Sequence, residues 1–258
     1  MMDTLRTLLL AAACLTALAT SEPPAPAEPD IGNAQQLNVS LASVLNLSAV
    51  NLRSTPTDCS SLPANSVSGV YVVQPVGGPN LMVYCVIKGR DRWTVIQRNS
   101  ATTTLAWDQT WAAYKTGFGS LSGDHWLGNE YIHLLTTQRT YKVRFALVDS
   151  SGRESAADYD TFRVEAEGQG YALRLGQHSG SAANRLQVGS TSGLQDNMKF
   201  STCDRDQDLT SSNCASSHGG GFWFNSCYSA HLNRRGALYW DGNVQASTIM
   251  IAPTDICH

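Results

Sequence analysis

Charge is scarce in this sequence. Asp, Glu, Lys and Arg make up 15% of 258 residues, and the net charge is -3. No basic run stands out, which argues against a nucleic-acid groove and against a polybasic membrane patch. No apolar run reaches the roughly 20 residues that a membrane-spanning helix needs. No CxxC pair occurs, so a structural zinc site is not indicated. HExxH and GxSxG are both absent. His125, His133, His178, His218, His231 and His258 are scattered, and no nucleophile–base–orienter set accompanies them. The sequence therefore points to binding rather than catalysis. No internal repeat is visible.

The chain start reads as a secretory signal. Arg6 supplies the positive region, Leu8 to Leu18 the short apolar run, and Ala17-Leu18-Ala19 a small-x-small cleavage site. Residues 1–19 are thus expected to be removed and the protein to be secreted. Cys14 leaves with the signal. Six cysteines remain: Cys59, Cys85, Cys203, Cys214, Cys227 and Cys257. An even number in an oxidising compartment suggests three disulfides, but six cysteines allow about fifteen connectivities.

Residues 20–57 read as a linker or stalk. Its first part, "SEPPAPAEPD", is Pro-rich, acidic and extended. Residues 35–52 place Leu37, Leu41, Val44, Leu45, Ser48 and Leu52 roughly on one helical face, so an oligomerising helix is one reading. Two sequons, at Asn38 and Asn46, give the other: a glycosylated stalk. A helix this short is marginal alone in water, which favours the stalk.

From Asp58 to His258 the texture is that of one α+β domain. "SGVYVVQP" and "NLMVYCVI" read as strands joined by the hairpin turn "VGGPN". "RWTVIQR" is a third strand. "GNEYIHLLTTQ" has Tyr131, Leu134 and Leu135 at helical spacing. In "TYKVRFALVD", Tyr141, Val143, Phe145 and Leu147 share one face, and "SSGRES" turns the chain towards "YDTFRVE". "GYALRLG" and "STIMIAP" add strands. Between those two, the chain is mostly Gly, Ser, Asn and Asp, and few regular elements are expected.

"STCDRDQDLTSSNC", residues 201–214, sets Asp204, Asp206 and Asp208 on alternate positions. Hard oxygen donors in such a run suit calcium. The loop is no EF-hand, because Leu209 stands where Gly is required and Ala215 where Glu is required. A solvated acidic turn is the equally available reading.

"WTVIQRN", "YKTGFG", "WLGNEYIHLLT", "KFSTCDRDQD", "GGGFWFNSC" and "HLN" occur in this order with fitting separations. Together they resemble the fibrinogen C-terminal globular domain, shared by fibrinogen chains, ficolins, tachylectins, tenascins and angiopoietins. The likeness is greatest to the secreted fibrinogen-like protein 1-like group. The resemblance implies a small N-terminal disulfide subdomain, a central antiparallel sheet with short helices, and an irregular calcium-binding C-terminal subdomain. It implies the pairs Cys59–Cys85 and Cys214–Cys227. Cys203 and Cys257 fall outside the family pattern and are paired as the remainder, with free or intermolecular thiols the alternative. It assigns calcium to the carboxylates of Asp206 and Asp208 and the carbonyls of Thr210 and Ser212, with Asp204 supporting the loop. It places the ligand pocket at Phe224, Ser226, Cys227 and Tyr228, with a cis Ser226–Cys227 bond; the aromatics Phe222, Trp223, Phe224 and Tyr228 read equally as ordinary core. Here the pocket departs from the family. The polar anchors for acetyl groups are replaced by Phe224 and Tyr228, a later loop is deleted, and acids that meet a cationic fibrin peptide are unmatched. The implied partner is an extracellular glycan or protein. The implied setting is innate immunity, as for ficolins, or receptor signalling or matrix adhesion, as for angiopoietins and tenascins.

Overall fold

The computed structural model describes residues 55–189 and 193–254. The expected signal segment, the sequons at Asn38 and Asn46, the 35–52 stretch and Cys257 lie outside the described residues. Residues from Thr55 on form one compact unit.

The strands follow the alternation in the sequence. They are β1 (Gly69–Val73), β2 (Leu81–Lys88), β3 (Asp91–Ser100), β4 (Phe118–Gly119), β5 (His125–Trp126), β6 (Tyr141–Asp149), β7 (Glu154–Val164), β8 (Leu173–Leu175) and β9 (His178–Gly180). After these come β10 (Phe200–Ser201), β11 (Phe222–Trp223), β12 (Ala230–His231), β13 (Leu238–Trp240) and β14 (Asn243–Pro253). The main sheet runs β1-β2-β3-β14-β6-β7-β8, all neighbours antiparallel. The last strand, β14, thus sits in the middle, between β3 and β6. In β6, Tyr141, Val143, Phe145 and Leu147 are all buried, as the period of two requires. The β1–β2 turn closes with Gly78 N–H donating to Pro75 O at 2.8 Å.

The described residues include three α-helices, α1 (Trp111–Thr116), α2 (Asn129–Thr137) and α3 (Cys214–His218); α2 packs on β7 and α1 packs on α2. The expected face of α2 was Tyr131, Leu134 and Leu135. The buried residues are instead Asn129, Ile132, Leu135 and Thr136. Polar side chains rotate this face inward: Asn129 Oδ1 accepts from Trp126 Nε1 at 3.2 Å, and Thr136 Oγ1 accepts from Val164 N at 3.1 Å. Helices α1 and α3 lack a long apolar pattern. Each is started by a side-chain cap: Thr110 accepts from Ala113 N, and Asn213 from Ser216 N.

At the chain entry, Asp58 is fully buried. Its carboxylate accepts from Ser60 N at 2.8 Å, from Arg139 at 2.7 Å and from the Tyr141 hydroxyl. The Cys59–Cys85 disulfide fastens the same turn to β2. Among the described residues no helix is long and apolar enough to cross a membrane.

Candidate functional site

The aspartate run folds into a tight turn against α3. Asp208 holds it from inside: Oδ1 accepts from Thr210 N at 2.8 Å, and Oδ2 accepts from Cys214 N at 2.8 Å. Asp206 Oδ1 accepts from Asp208 N at 3.2 Å, which sets the two carboxylates side by side. Partial burial by the loop and the like charge of Asp208 together hold the Asp206 carboxyl above its ordinary range, against the Asp208 N–H that favours ionisation. A bound cation would relieve that repulsion. The Ser212 carbonyl accepts from the Thr210 hydroxyl and so turns back towards the same loop. Asp204 faces away from this pair. Its Oδ1 accepts from Trp111 N at 2.8 Å and from Thr202 Oγ1 at 2.7 Å, tying the turn to the start of α1. No group of three or more Asp, Glu, His or Cys converges among the described residues. The groups that the turn does gather, two carboxylates and nearby carbonyls, are hard oxygen donors.

Two links carry this turn to the neighbouring segment 222–233. Leu209 N–H donates to Asn225 O at 3.0 Å. The Cys214–Cys227 disulfide joins α3 to the same strip, with Cα atoms 5.6 Å apart. The Ser226–Cys227 peptide bond is cis. Cys203 is disulfide-bonded, and the partner expected for it, Cys257, lies outside the described residues. Removing the Cys214–Cys227 bridge by Cys214→Ser with Cys227→Ser is expected to cost about 3 kcal/mol, from the short loop it closes. Urea denaturation reads this directly; an unchanged midpoint would show that the bridge is dispensable.

The expected pocket residues divide. Ser226 is exposed, and Cys227 and Tyr228 are half-buried. Phe224 is fully buried, packed on His231 at 5.0 Å and Tyr228 at 6.1 Å between ring centroids. Phe224 therefore supports the wall from behind instead of facing a ligand, as an apolar ring of its size gains most when buried. Phe222 and Trp223 are likewise core, the latter edge-to-face with Trp126, Phe162 and Phe200. The polar surface near Tyr228 is cationic. Arg234 Nη1 donates to the Tyr228 hydroxyl at 3.2 Å, and His218 lies edge-on to the Tyr228 ring at 4.9 Å.

Sequence reasoning passed over the residues that hold this strip in place. Gln195 is fully buried. Its Nε2 donates to Trp223 O at 2.8 Å, and its Oε1 accepts from Ser229 N and Ala230 N. Gln97 and Asn99 on β3 donate to Leu232 O at 3.0 and 2.7 Å, and Asn233 Nδ2 donates to Gly221 O at 3.0 Å. Four amides, two of them on β3 and two in loops, read as ordinary polar residues in a sequence. Their role emerges only when residues 135 positions apart meet. Gln195→Leu is expected to cost several kcal/mol, because it orphans three buried backbone groups at about 1–3 kcal/mol each.

Burial keeps His231 neutral, with the charges of Arg234 and His218 adding to the depression against a favourable Asn233 backbone contact. Burial also lowers His125, more than the Gly123 carbonyl raises it. The unfolded chain protonates these rings near pH 6.5 while the folded chain does not. Their stabilising contribution is present above that pH and is lost as pH falls below it. For His231, held well below its ordinary value, that is a slope of about 1.4 kcal/mol per pH unit there, and His125 adds in the same direction. His231→Gln is expected to flatten the acid limb of a stability–pH curve between pH 6.5 and 5 by one proton. An unaltered limb would contradict a neutral buried His231.

The chain is similar in sequence and fold to proteins of known kind. Residues 55–252 match the profile described as fibrinogen beta and gamma chains, C-terminal globular domain. A fibrinogen-like protein 1-like protein of Gallus gallus is 49% identical over 188 residues, covering 72% of this chain and 66% of that protein. The solved fibrinogen-like globe domain of human ANGPTL2 is 33% identical with a TM-score of 0.71, covering 77% of this chain and 99% of the globe. A lamprey fibrin D-dimer, complexed with the peptide Gly-His-Arg-Pro-amide, is 26% identical with a TM-score of 0.73, covering 84% of this chain and 83% of that one. The chain thus spans just under two thirds of the length of its chicken relative.

Proposed function

The chain belongs to the fibrinogen C-terminal domain family, and from that premise we propose that it is a secreted, calcium-binding recognition protein whose altered site takes an extracellular protein ligand. One observation carries the reading: the aspartate turn is coupled directly to the ligand-facing strip. Leu209 N–H reaches Asn225 O, Asp208 Oδ2 takes the N–H of Cys214, and Cys214 is bridged to Cys227 beside exposed Ser226. A calcium ion held by Asp206, Asp208 and the carbonyls of Thr210 and Ser212 would neutralise the paired carboxylates. It would thereby stiffen the Asn225–Tyr228 wall. A protein ligand is favoured over a glycan because the lamprey relative is complexed with a peptide, and because the ring that would frame an acetyl group, Phe224, is buried. Innate immunity is the setting that the ficolin resemblance suggests.

Ligand choice differs from that of the lamprey relative. Arg234 beside Tyr228 opposes a cationic peptide, and the acids that would meet one are absent from the matching positions. A lost charge-assisted hydrogen bond is worth about 1.5–3 kcal/mol. Calorimetry in millimolar calcium is expected to show no micromolar binding of either N-acetylglucosamine or a Gly-Pro-Arg peptide; such binding by either would contradict the altered site. For the function itself, the full chain with a cross-linker is incubated with plasma and cell surfaces. A specific protein is expected to be captured in calcium, and lost both in chelator and with Tyr228→Ala. Capture indifferent to both would overturn the reading.

A further inference from the structure

The outward face of the main sheet carries an array of cations that no sequence run announces. A groove of about 550 Å³ crosses β2, β3, β14, β6 and β7, with Lys88, Arg98 and Arg144 along it and Glu154 and Asp158 at one side. A smaller cleft of about 110 Å³ is lined by Arg90, Arg92 and Lys142, with Asp91 as its acid. Trp93 connects the two: Lys142 Nζ lies 5.1 Å and Arg144 Cζ 5.2 Å from its ring. Six cations thus meet three acids along these two clefts of a chain whose net charge is -3, with Arg92 alone turned to the opposite face of the sheet, where Ile87 is its partner in register.

Half of these cations already have structural work. Arg144 makes a two-point pair with Asp158 at 2.8 Å, Arg92 donates to the carbonyls of Leu62, Pro63 and Ala64, and Arg98 donates to Ser122 O while lying 4.7 Å over the Tyr84 ring. Lys88, Arg90 and Lys142 make no ion pair or side-chain hydrogen bond to any described residue. Spacing decides what they suit. Arg98 is in register with Thr248 and Arg144 with Met250, so these two arginines sit two strands apart and one inter-residue repeat along. With strands about 4.8 Å apart and about 6.8 Å per two residues, that is roughly 12 Å. The cations are therefore spread over a plane and do not converge, as a single phosphate would require. Between the two arginines the floor is Thr248 and Met250, and beyond them it is small: Ala146, Ala156, Ala246 and Gly180. Such a floor offers no deep apolar anchor of the sort that dominates protein–protein contacts. A linear chain with repeated negative charges fits both features, and focused potential would draw it in.

We propose that this sheet face binds a sulfated polysaccharide of the glycosaminoglycan type, independently of the Ser226–Tyr228 site. The test is calorimetric titration of the full chain with heparin. Binding is expected at about 0.15 M salt, weakening steeply as salt rises, because exposed charges are screened within about 8 Å at that strength. It is expected to vanish with fully desulfated heparin. Lys88→Ser with Arg90→Ser and Lys142→Ser should weaken binding at least tenfold with an unchanged thermal midpoint. Lys88→Arg with Lys142→Arg should retain binding. Removing three cations elsewhere, by Arg153→Ser, Arg163→Ser and Arg235→Ser, should leave it intact, as should Tyr228→Ala. The proposal is overturned if the face variant binds heparin like the parent, if the control variant loses as much, or if polyglutamate of similar length binds as tightly, which would assign the face to acidic proteins.

Discussion

Gly220→Ala is expected to lower stability by about 3–5 kcal/mol, at the upper end of what overpacking costs. A Cβ at this position would stand 1.7 Å from the carbonyl oxygen of Asn233. That oxygen belongs to backbone, and it has little freedom to retreat. Asn233 is fully buried, its Nδ2 is bonded to Gly221 O and its Oδ1 accepts from Gln97 Nε2. Relief requires moving the whole 231–234 segment away from the strip that carries Tyr228. The adjacent Gly219 provides the control. It caps α3 at φ 71°, with nothing within 4 Å of an added Cβ. Gly219→Ala should therefore cost only the left-handed penalty of about 1–2 kcal/mol. Urea denaturation of both variants reads the difference. Equal costs would mean that the Asn233 carbonyl yields easily and that the close approach is not limiting.

Asp58→Ala is expected to cost about 3 kcal/mol, the lower end for breaking a buried pair, because Arg139 retains 30% side-chain exposure and can rehydrate. The loss also leaves the Tyr141 hydroxyl and the first turn's N–H without their acceptor. Burial pushes the Asp58 carboxyl up, but hydrogen bonds from Ser60, Tyr141 and Arg139 outweigh it, and the folded value lies below the ordinary one. A lowered carboxyl contributes stability that is complete above about pH 4, the unfolded value, and is lost as pH falls towards the folded value. Asp58→Asn should therefore abolish that acid-side loss while showing most of the cost at neutral pH. Persistence of the full acid slope in Asp58→Asn would place the titration elsewhere.

The sheet was legible because its strands alternate. Tyr141, Val143, Phe145 and Leu147 announce one buried face before any coordinates exist. The position of β14 was not legible, since nothing in "STIMIAP" states that the last strand inserts between β3 and β6. Helices α1 and α3 escaped notice because five or six residues give no period; their starts are written in Thr110 and Asn213, as caps. At the candidate site, the aspartate alternation stood out, and the resemblance supplied the disulfide pairing. The buried amides did not stand out. Gln97, Asn99, Gln195 and Asn233 act through contacts across more than a hundred residues or across a loop, where local pattern carries no signal. Phe224 illustrates the opposite limit. A ring in a pocket motif reads as a contact residue, yet with Tyr228 above it and His231 beside it, burial decides its place. The cations of the outer face were hidden for a further reason: a net charge of -3 averages over a face that departs from it.

In the proposed function, Asp206 and Asp208 hold calcium and thereby support the recognition strip. Thermal unfolding of the full chain in chelator and across a calcium titration tests it most directly. Binding to the folded state alone stabilises by about 2.7 kcal/mol at a hundredfold excess over Kd, and an extracellular loop of this kind needs a Kd of only about 10⁻⁴ to 10⁻³ M. The account predicts a midpoint that rises with calcium and does not rise in Asp206→Asn with Asp208→Asn. A midpoint identical in chelator and in millimolar calcium, or one that still rises in the double variant, would contradict it.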